Sequence, residues 1–230
     1  MSRALLFGSP LSPFVDKVQR ALRLKKVEHE LIGPKTPGDF KRWNPQTRKM
    51  PVLELNGERI IDSTFILDRL ESDFPEPPLL SRNPATRASQ RMLEDWSDES
   101  FYWYVMALRW NAKNAPATAH QITEGLPALI RPLAKRSLTR QLGSTTQAQG
   151  LGRLPSERVV RELGERLDDL AALLGDRPYF FGEQLSRADL SICGMLNSGL
   201  SGPSPEINQL MGERTALSQH LERVREATKA

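Results

Sequence analysis

The chain has little sulfur chemistry of its own. Cys193 is the only cysteine in 230 residues. No intrachain disulfide can form, no Cys-x-x-Cys redox pair exists, and a reducing compartment fits this usage. Histidine is equally scarce. His29, His120 and His220 lie far apart, without the spacing of a metal-binding set, so no metal is expected. No apolar run approaches the roughly 20 residues that span a bilayer. The opening MSRALLFGSP has neither the long apolar core nor the small-residue cleavage site of a secretory signal. A cytoplasmic protein without a membrane segment is expected. A concentrated block of charge is also missing. Residues 1–80 carry 13 Lys/Arg against 11 Asp/Glu and the remainder 19 against 17, so the net +4 is dispersed. That favours solubility and argues against nucleic acid as a partner. One local exception, Arg131, Lys135, Arg136 and Arg140, reads as a solvated helix face or an anion-attracting rim.

What is present is an ordered alternation of elements. Residues 4–8 form a short strand candidate. Phe14, Val18, Ala21 and Leu22 recur at helical spacing, so a helix is predicted over 13–25, with Pro13 at its first position and Ser12 at its N-cap. Residues 26–32 alternate like a strand, and 38–44 suit a short helix. Asn56-Gly57 between two apolar-rich runs predicts a type I′ hairpin. Helical spacing returns over 63–73. The order is β-α-β-α-β-β-α. Prolines 75, 77 and 78 then stiffen a linker, which sets boundaries at 1–75, 76–83 and 84–230.

Beyond the linker the sequence reads as helix. Residues 84–112 form one long candidate. Residues 118–140 form another, which Pro127 and Pro132 kink or split. Residues 141–153 are polar and glycine-rich and read as a loop, 155–174 as a helix, 199–205 as a loop and 213–228 as a closing helix. Leu185 to Leu190 carries a capping box, with serine at 186, aspartate at 189 and a Leu185–Leu190 staple. Trp96, Trp103 and Trp110 recur every seven residues beside Met92 and Ala107, which reads as a core stripe. A second stripe, Phe101, Tyr104, Val105 and Leu108, faces roughly the other way in one half only. It requires a second neighbour: the N-terminal domain, a ligand or another subunit.

Four segments in this order resemble the cytosolic glutathione transferases of bacterial type. Ser12-Pro13-Phe14 stands where that family has its active-site Ser-Pro or Cys-Pro. Residues 44–53, ending Lys49-Met50-Pro51-Val52-Leu53, are similar to the segment that carries its cis proline. Asp62-Ser63 resembles its Glu-Ser pair, and Ser186-Arg187-Ala188-Asp189 its capping box. Met50 replaces the usual valine and Asp62 the usual glutamate. Residues 199–212 are richer in Gly, Ser and Pro than the family's usual helix there. The resemblance implies an α+β fold, a thioredoxin-like domain followed by an all-helical one. It implies glutathione as co-substrate and a homodimer, for which Arg87 and Arg91 offer a polar contact face. It also gives the candidate residues roles. Ser12 would hold the thiol, with Ser9 as second choice. Met50 and Pro51 would pair with the tripeptide backbone, and Lys49 would meet its glycine carboxylate. Ser63 would hold the γ-glutamyl carboxylate and Asp62 the ammonium. Phe14 is a glutathione contact or core. Phe101, Tyr104, Val105 and Leu108 would wall the site for a hydrophobic electrophile.

Three functions follow from this. The leading one is an enzyme that adds glutathione to a hydrophobic electrophile, a detoxification-type transferase. The second is glutathione-dependent disulfide reduction or peroxidation. The third is a non-catalytic binding module on the same scaffold.

Overall fold

The computed structural model describes residues 4–229. Its first part is a four-stranded sheet in the order β2-β1-β3-β4, formed by β1 (Ala4–Phe7), β2 (His29–Ile32), β3 (Val52–Leu55) and β4 (Glu58–Ile61). The strand β2 runs parallel to β1, while β3 pairs antiparallel with both β1 and β4. The parallel pair needs a crossover, and α1 (Pro13–Leu24) supplies it. Asn56 and Gly57 both take positive φ, 54° and 81°, as a type I′ turn demands. Between β2 and β3 lies α2 (Pro37–Trp43), and α3 (Ser63–Asp73) follows β4.

Period-2 alternation gives the sheet two apolar faces. On one, Phe7 and Val52 pack with Trp43 of α2, flanked by Leu5, Ile32 and Ile61. The Phe7 and Trp43 ring centroids are 5.2 Å apart. On the other, Leu6 and Leu53 are fully buried, as are Val18 and Leu22 of α1 and Ile66 and Leu70 of α3. Capping fixes the ends. Thr36 and Asp39 form a reciprocal box on α2, and Asp62 Oδ1 accepts the Thr64 N–H at 2.9 Å to start α3.

All remaining regular elements among the described residues are helices, apart from one isolated bridge: α4 (Pro84–Trp96), α5 (Tyr102–Arg109), α6 (Ala115–Thr123), α7 (Arg131–Gln149), α8 (Ser156–Leu174), α9 (Arg187–Leu200), α10 (Pro205–Gly212) and α11 (Thr215–Ala227). Backbone contacts group the chain into two compact units. One is 1–95 with 177–194 and 220–230; the other is 96–176 with 195–219. The first unit thus gathers α4, the start of α9 and most of α11 around the sheet.

A carboxylate organises that gathering. Glu94 of α4 is 2% exposed, and Lys17 of α1 and Arg187 of α9 are at most 1% exposed. Lys17 Nζ lies 2.5 Å from Glu94 Oε1, and Arg187 pairs with both Glu94 oxygens. Arg187 reaches on to Asp68 of α3 at 2.6 Å and to the Thr64 carbonyl. The capping box at the start of α9 forms: Asp189 accepts the Ser186 N–H at 2.8 Å and its hydroxyl at 2.6 Å, and also takes the Phe180 N–H. The linker is tied down as well. Lys25 Nζ donates to the carbonyls of Phe74 and Pro77, and Glu71 accepts the N–H groups of Leu79 and Leu80.

The second unit is helical. Val159, Leu163, Leu167, Leu170 and Leu174 make the buried stripe of α8, and α5 packs on α7 and α8. Three expectations need correction here. Residues 141–149 are not a loop, because α7 continues to Gln149 and only Gly150, at φ 120°, ends it. The Thr145 and Thr146 hydroxyls bond back to carbonyls within the helix and do not break it. The expected loop at 199–205 is shorter than read, because α9 runs to Leu200 and α10 begins at Pro205. The run from 84 is interrupted by a π-helical stretch, Ser97–Phe101, before α5. A π turn inserts one residue and shifts every later side chain round the axis. Trp96 and Phe101, five apart, consequently stack at 5.4 Å, whereas Met92 at the far end of the tryptophan stripe is 72% exposed.

Two measurements test this account. Glu94→Leu removes the carboxylate shared by two buried cations and should cost about 3–5 kcal/mol in urea unfolding. His220 is fully buried, and burial holds its imidazole below the ordinary value although Asp189 pulls the other way. The unfolded chain therefore takes up this proton near pH 6.5, before the folded one does. Stability should fall as the pH drops below that value, by at most about 1.4 kcal/mol per pH unit for one proton. His220→Phe should flatten that part of the profile.

Candidate functional site

The sheet register decides where the candidate residues meet. Phe7, the last residue of β1, pairs with Val52, the first of β3, and Val52 pairs with Ile61, the last of β4. Three segments therefore leave or enter at one end of the sheet. They are the turn Gly8–Ser12, the approach Lys49–Pro51 and the start of α3 at Asp62–Ser63.

Ser12 occupies the N-cap of α1 in extended conformation, with φ −83° and ψ 126°. Its carbonyl accepts the Asp16 N–H at 3.0 Å, yet its side chain caps nothing. The hydroxyl is half-buried and has no partner among the described residues. A helix N-terminus carries about half a positive charge and unspent N–H groups. Ser9 is placed differently: its Oγ accepts the Leu11 N–H at 3.3 Å and shapes the turn. Phe14 is half-buried in the first turn of α1.

The Met50–Pro51 bond is cis, and Pro51 is buried. The Met50 sulfur accepts the Ser9 N–H at 3.0 Å, tying this segment to the turn after β1. Lys49 is exposed, and its ammonium has no acidic partner among the described residues. Asp62 is exposed and takes φ 73° and ψ 132°, a backbone state that costs a non-glycine residue about 1–3 kcal/mol. Ser63 beside it is 5% exposed, and its hydroxyl too has no partner among the described residues. One end of the sheet thus presents two serine hydroxyls at helix starts, a lysine and a carboxylate, an arrangement suited to a small zwitterion with an acidic proton.

Known proteins share sequence and fold with this chain. Residues 6–78 match the model of the glutathione S-transferase N-terminal domain. A probable glutathione S-transferase of Nicotiana tabacum is 35% identical over 100 residues, 42% of this chain and 44% of that protein. The chain therefore aligns with less than half the length of that relative. Among solved structures, the β-etherase LigF of Sphingobium sp. strain SYK-6 superposes with TM-score 0.71 at 23% identity, over 96% of this chain and 94% of that one. A glutathione S-transferase of Methylobacterium radiotolerans, solved in complex with glutathione sulfonate, gives TM-score 0.66 at 24% identity, covering 97% and 91%.

Residues 6–78 thus resemble the N-terminal domain of a glutathione S-transferase. Three supports of this candidate site were not singled out in the sequence. Asn44, 2% exposed, braces the approach to the cis bond: its amide donates to Thr47 Oγ1 at 2.6 Å and to the Lys49 carbonyl at 3.1 Å. Gly8 and Gly194 allow close packing round α1. A Cβ at 8 would stand 2.4 Å from Val15 Cγ2, and one at 194 would stand 2.5 Å from the Pro13 carbonyl oxygen. The available signal was a lone glycine within an apolar helix, Ile192-Cys193-Gly194-Met195-Leu196.

The second stripe of the long helix lies elsewhere. Phe101, Val105 and Leu108 are 1–3% exposed in the interior of the second unit. The Tyr104 hydroxyl donates to Glu162 Oε2 at 3.1 Å, and Arg166 covers its ring. The neighbours that satisfy this surplus apolar face are helices of the same chain, so these residues present no open wall to an acceptor. Arg87 is likewise engaged, donating to the carbonyls of Ser81 and Arg82.

Gly194→Ala should push the start of α1 out of place. The expected outcome is a loss of about 1–3 kcal/mol in unfolding free energy. Unchanged stability would show that the close approach is not needed.

Proposed function

We propose that the protein is a glutathione transferase that adds the glutathione thiolate to a hydrophobic electrophile. The observation that carries this reading is the Ser12 hydroxyl, set at the N-cap of α1 and spent on no internal hydrogen bond. The thiolate is the reactive form, and a free thiol has its pKa near 8.5. A hydroxyl donating to sulfur, backed by the positive end of α1, stabilises the anion and lets its proton pass to solvent. The thiolate then attacks an electrophilic carbon, a C–S bond forms, and the leaving group departs with its electron pair. Ser63 and the start of α3 would hold the γ-glutamyl carboxylate, Asp62 the ammonium and Lys49 the glycine carboxylate. The backbone beside the cis bond would pair with the cysteinyl peptide as an added strand.

A cytoplasmic homodimer completes the proposal. Phe65 and Met92 support the dimer, since these large apolar side chains of the first unit are 62% and 72% exposed. Replacing both by serine should yield a monomer by light scattering.

Ser12→Ala should lower turnover with a chromogenic aryl halide by about 10²-fold or more, the scale of one lost anion-stabilising donor. Glutathione affinity should change little. Ser63→Ala should do the reverse. Intact turnover in Ser12→Ala would sink the assignment. Rapid reduction of a small disulfide with no conjugation would replace the transferase by a reductase.

A further inference from the structure

The second unit holds a charge that its own residues do not balance. Arg109, the last residue of α5, is 5% exposed. Its Nη1 donates to the Ser198 carbonyl at 3.1 Å and to the Ser198 hydroxyl at 2.9 Å. Nothing else in the described residues answers the guanidinium. Nε is buried without a partner, and Nη2 has none either but is not sealed off as Nε is. No carboxylate pairs with it. The nearby acid Glu206 is taken by Lys113 at 2.8 Å and Asn114 at 3.0 Å. Tyr102 is no counter-ion, because burial raises its phenol above the ordinary value and keeps it neutral.

An arginine stays charged under all ordinary conditions, and a buried charge without a partner is costly. The turn over it is the Gly-Ser-Pro stretch that sets this sequence apart. A Cβ at Gly202 would stand 3.1 Å from Nε, so glycine lets the turn lie flat on the guanidinium. Gln121 ties that turn down, donating to the Ser201 carbonyl at 2.7 Å. Further buried polar atoms on the same stretches lack partners: Asn111 Nδ2 and Ser204 Oγ, both able to donate, and Gln121 Oε1, an acceptor.

We propose that Arg109, under the Ser201–Ser204 turn, is a binding site for a small carboxylate, separate from the glutathione site. The Nε–Nη2 edge left over by Ser198 is the fork that a carboxylate engages with two parallel bonds. Nη2 offers the first contact, and the glycine turn shifts to free Nε. The ligand supplies the missing negative charge.

The experiment is a thermal-shift and calorimetric titration of the full chain with sodium acetate, against sodium chloride at equal ionic strength. Acetate should stabilise the protein saturably, with an affinity about tenfold or more above chloride. Arg109→Met should abolish that response and melt no lower than the parent without acetate, since it removes an unbalanced charge. Arg109→Lys keeps the charge but loses the fork, and should bind acetate about tenfold more weakly. It serves as the test if the methionine variant fails to fold. Glutathione affinity should be the same in all three. No saturable response, an equal response to chloride, or an unchanged response in Arg109→Lys would overturn the site. A parallel fall in glutathione affinity would overturn its separateness.

Discussion

The first unit depends on one buried carboxylate. Glu94 stands between Lys17 and Arg187, all three withdrawn from water. Removing such charges from solvent costs several kcal/mol per ion, so the arrangement is tolerable only when every partner is present. Its value lies in specificity. Lys17 belongs to the helix that begins at Ser12. Arg187 reaches Asp68 and the Thr64 carbonyl in the helix that begins at Ser63. A single ionic cluster thereby ties together both helices whose starts form the candidate site.

Within that frame the sheet register gathers the candidate residues. Because Phe7, Val52 and Ile61 form one row, a one-residue slip in any pairing would carry a segment of the site away from the other two. The Met50 sulfur adds a direct link to the turn after β1. The site is therefore assembled by backbone pairing first and tuned by side chains second.

Much of this was legible in the sequence, for local reasons. The Asn56-Gly57 hairpin, the span 63–73 of α3 and the Ser186–Asp189 box are each specified by neighbours a few residues apart, and each formed where predicted. The helical half was less legible. Gly143, Thr145 and Thr146 read as breakers, but the helix absorbs them. The π turn at 97–101 broke the spacing on which the stripe argument rested. Once phase is lost, a count of sevens no longer reports a face. Burial of Phe101, Val105 and Leu108 depended on helices far along the chain, which no short pattern encodes. Ser12 and Ser63 are candidates that short motifs suggest. Gly194 and Asn44 support the site through contacts that appear only in the folded chain.

The start of α1 shows how support and reactivity are kept apart. Many helices secure their first turn with a side-chain hydrogen bond, which occupies one of the free N–H donors there. In this helix, steric confinement does that work: Pro13 fixes the backbone angle, and the bare Cα of Gly194 closes on its carbonyl. Rigidity at the first turn is obtained without a side-chain cap. The dipole and hydroxyl at the tip are left uncommitted, free to respond to whatever negative charge is brought to them.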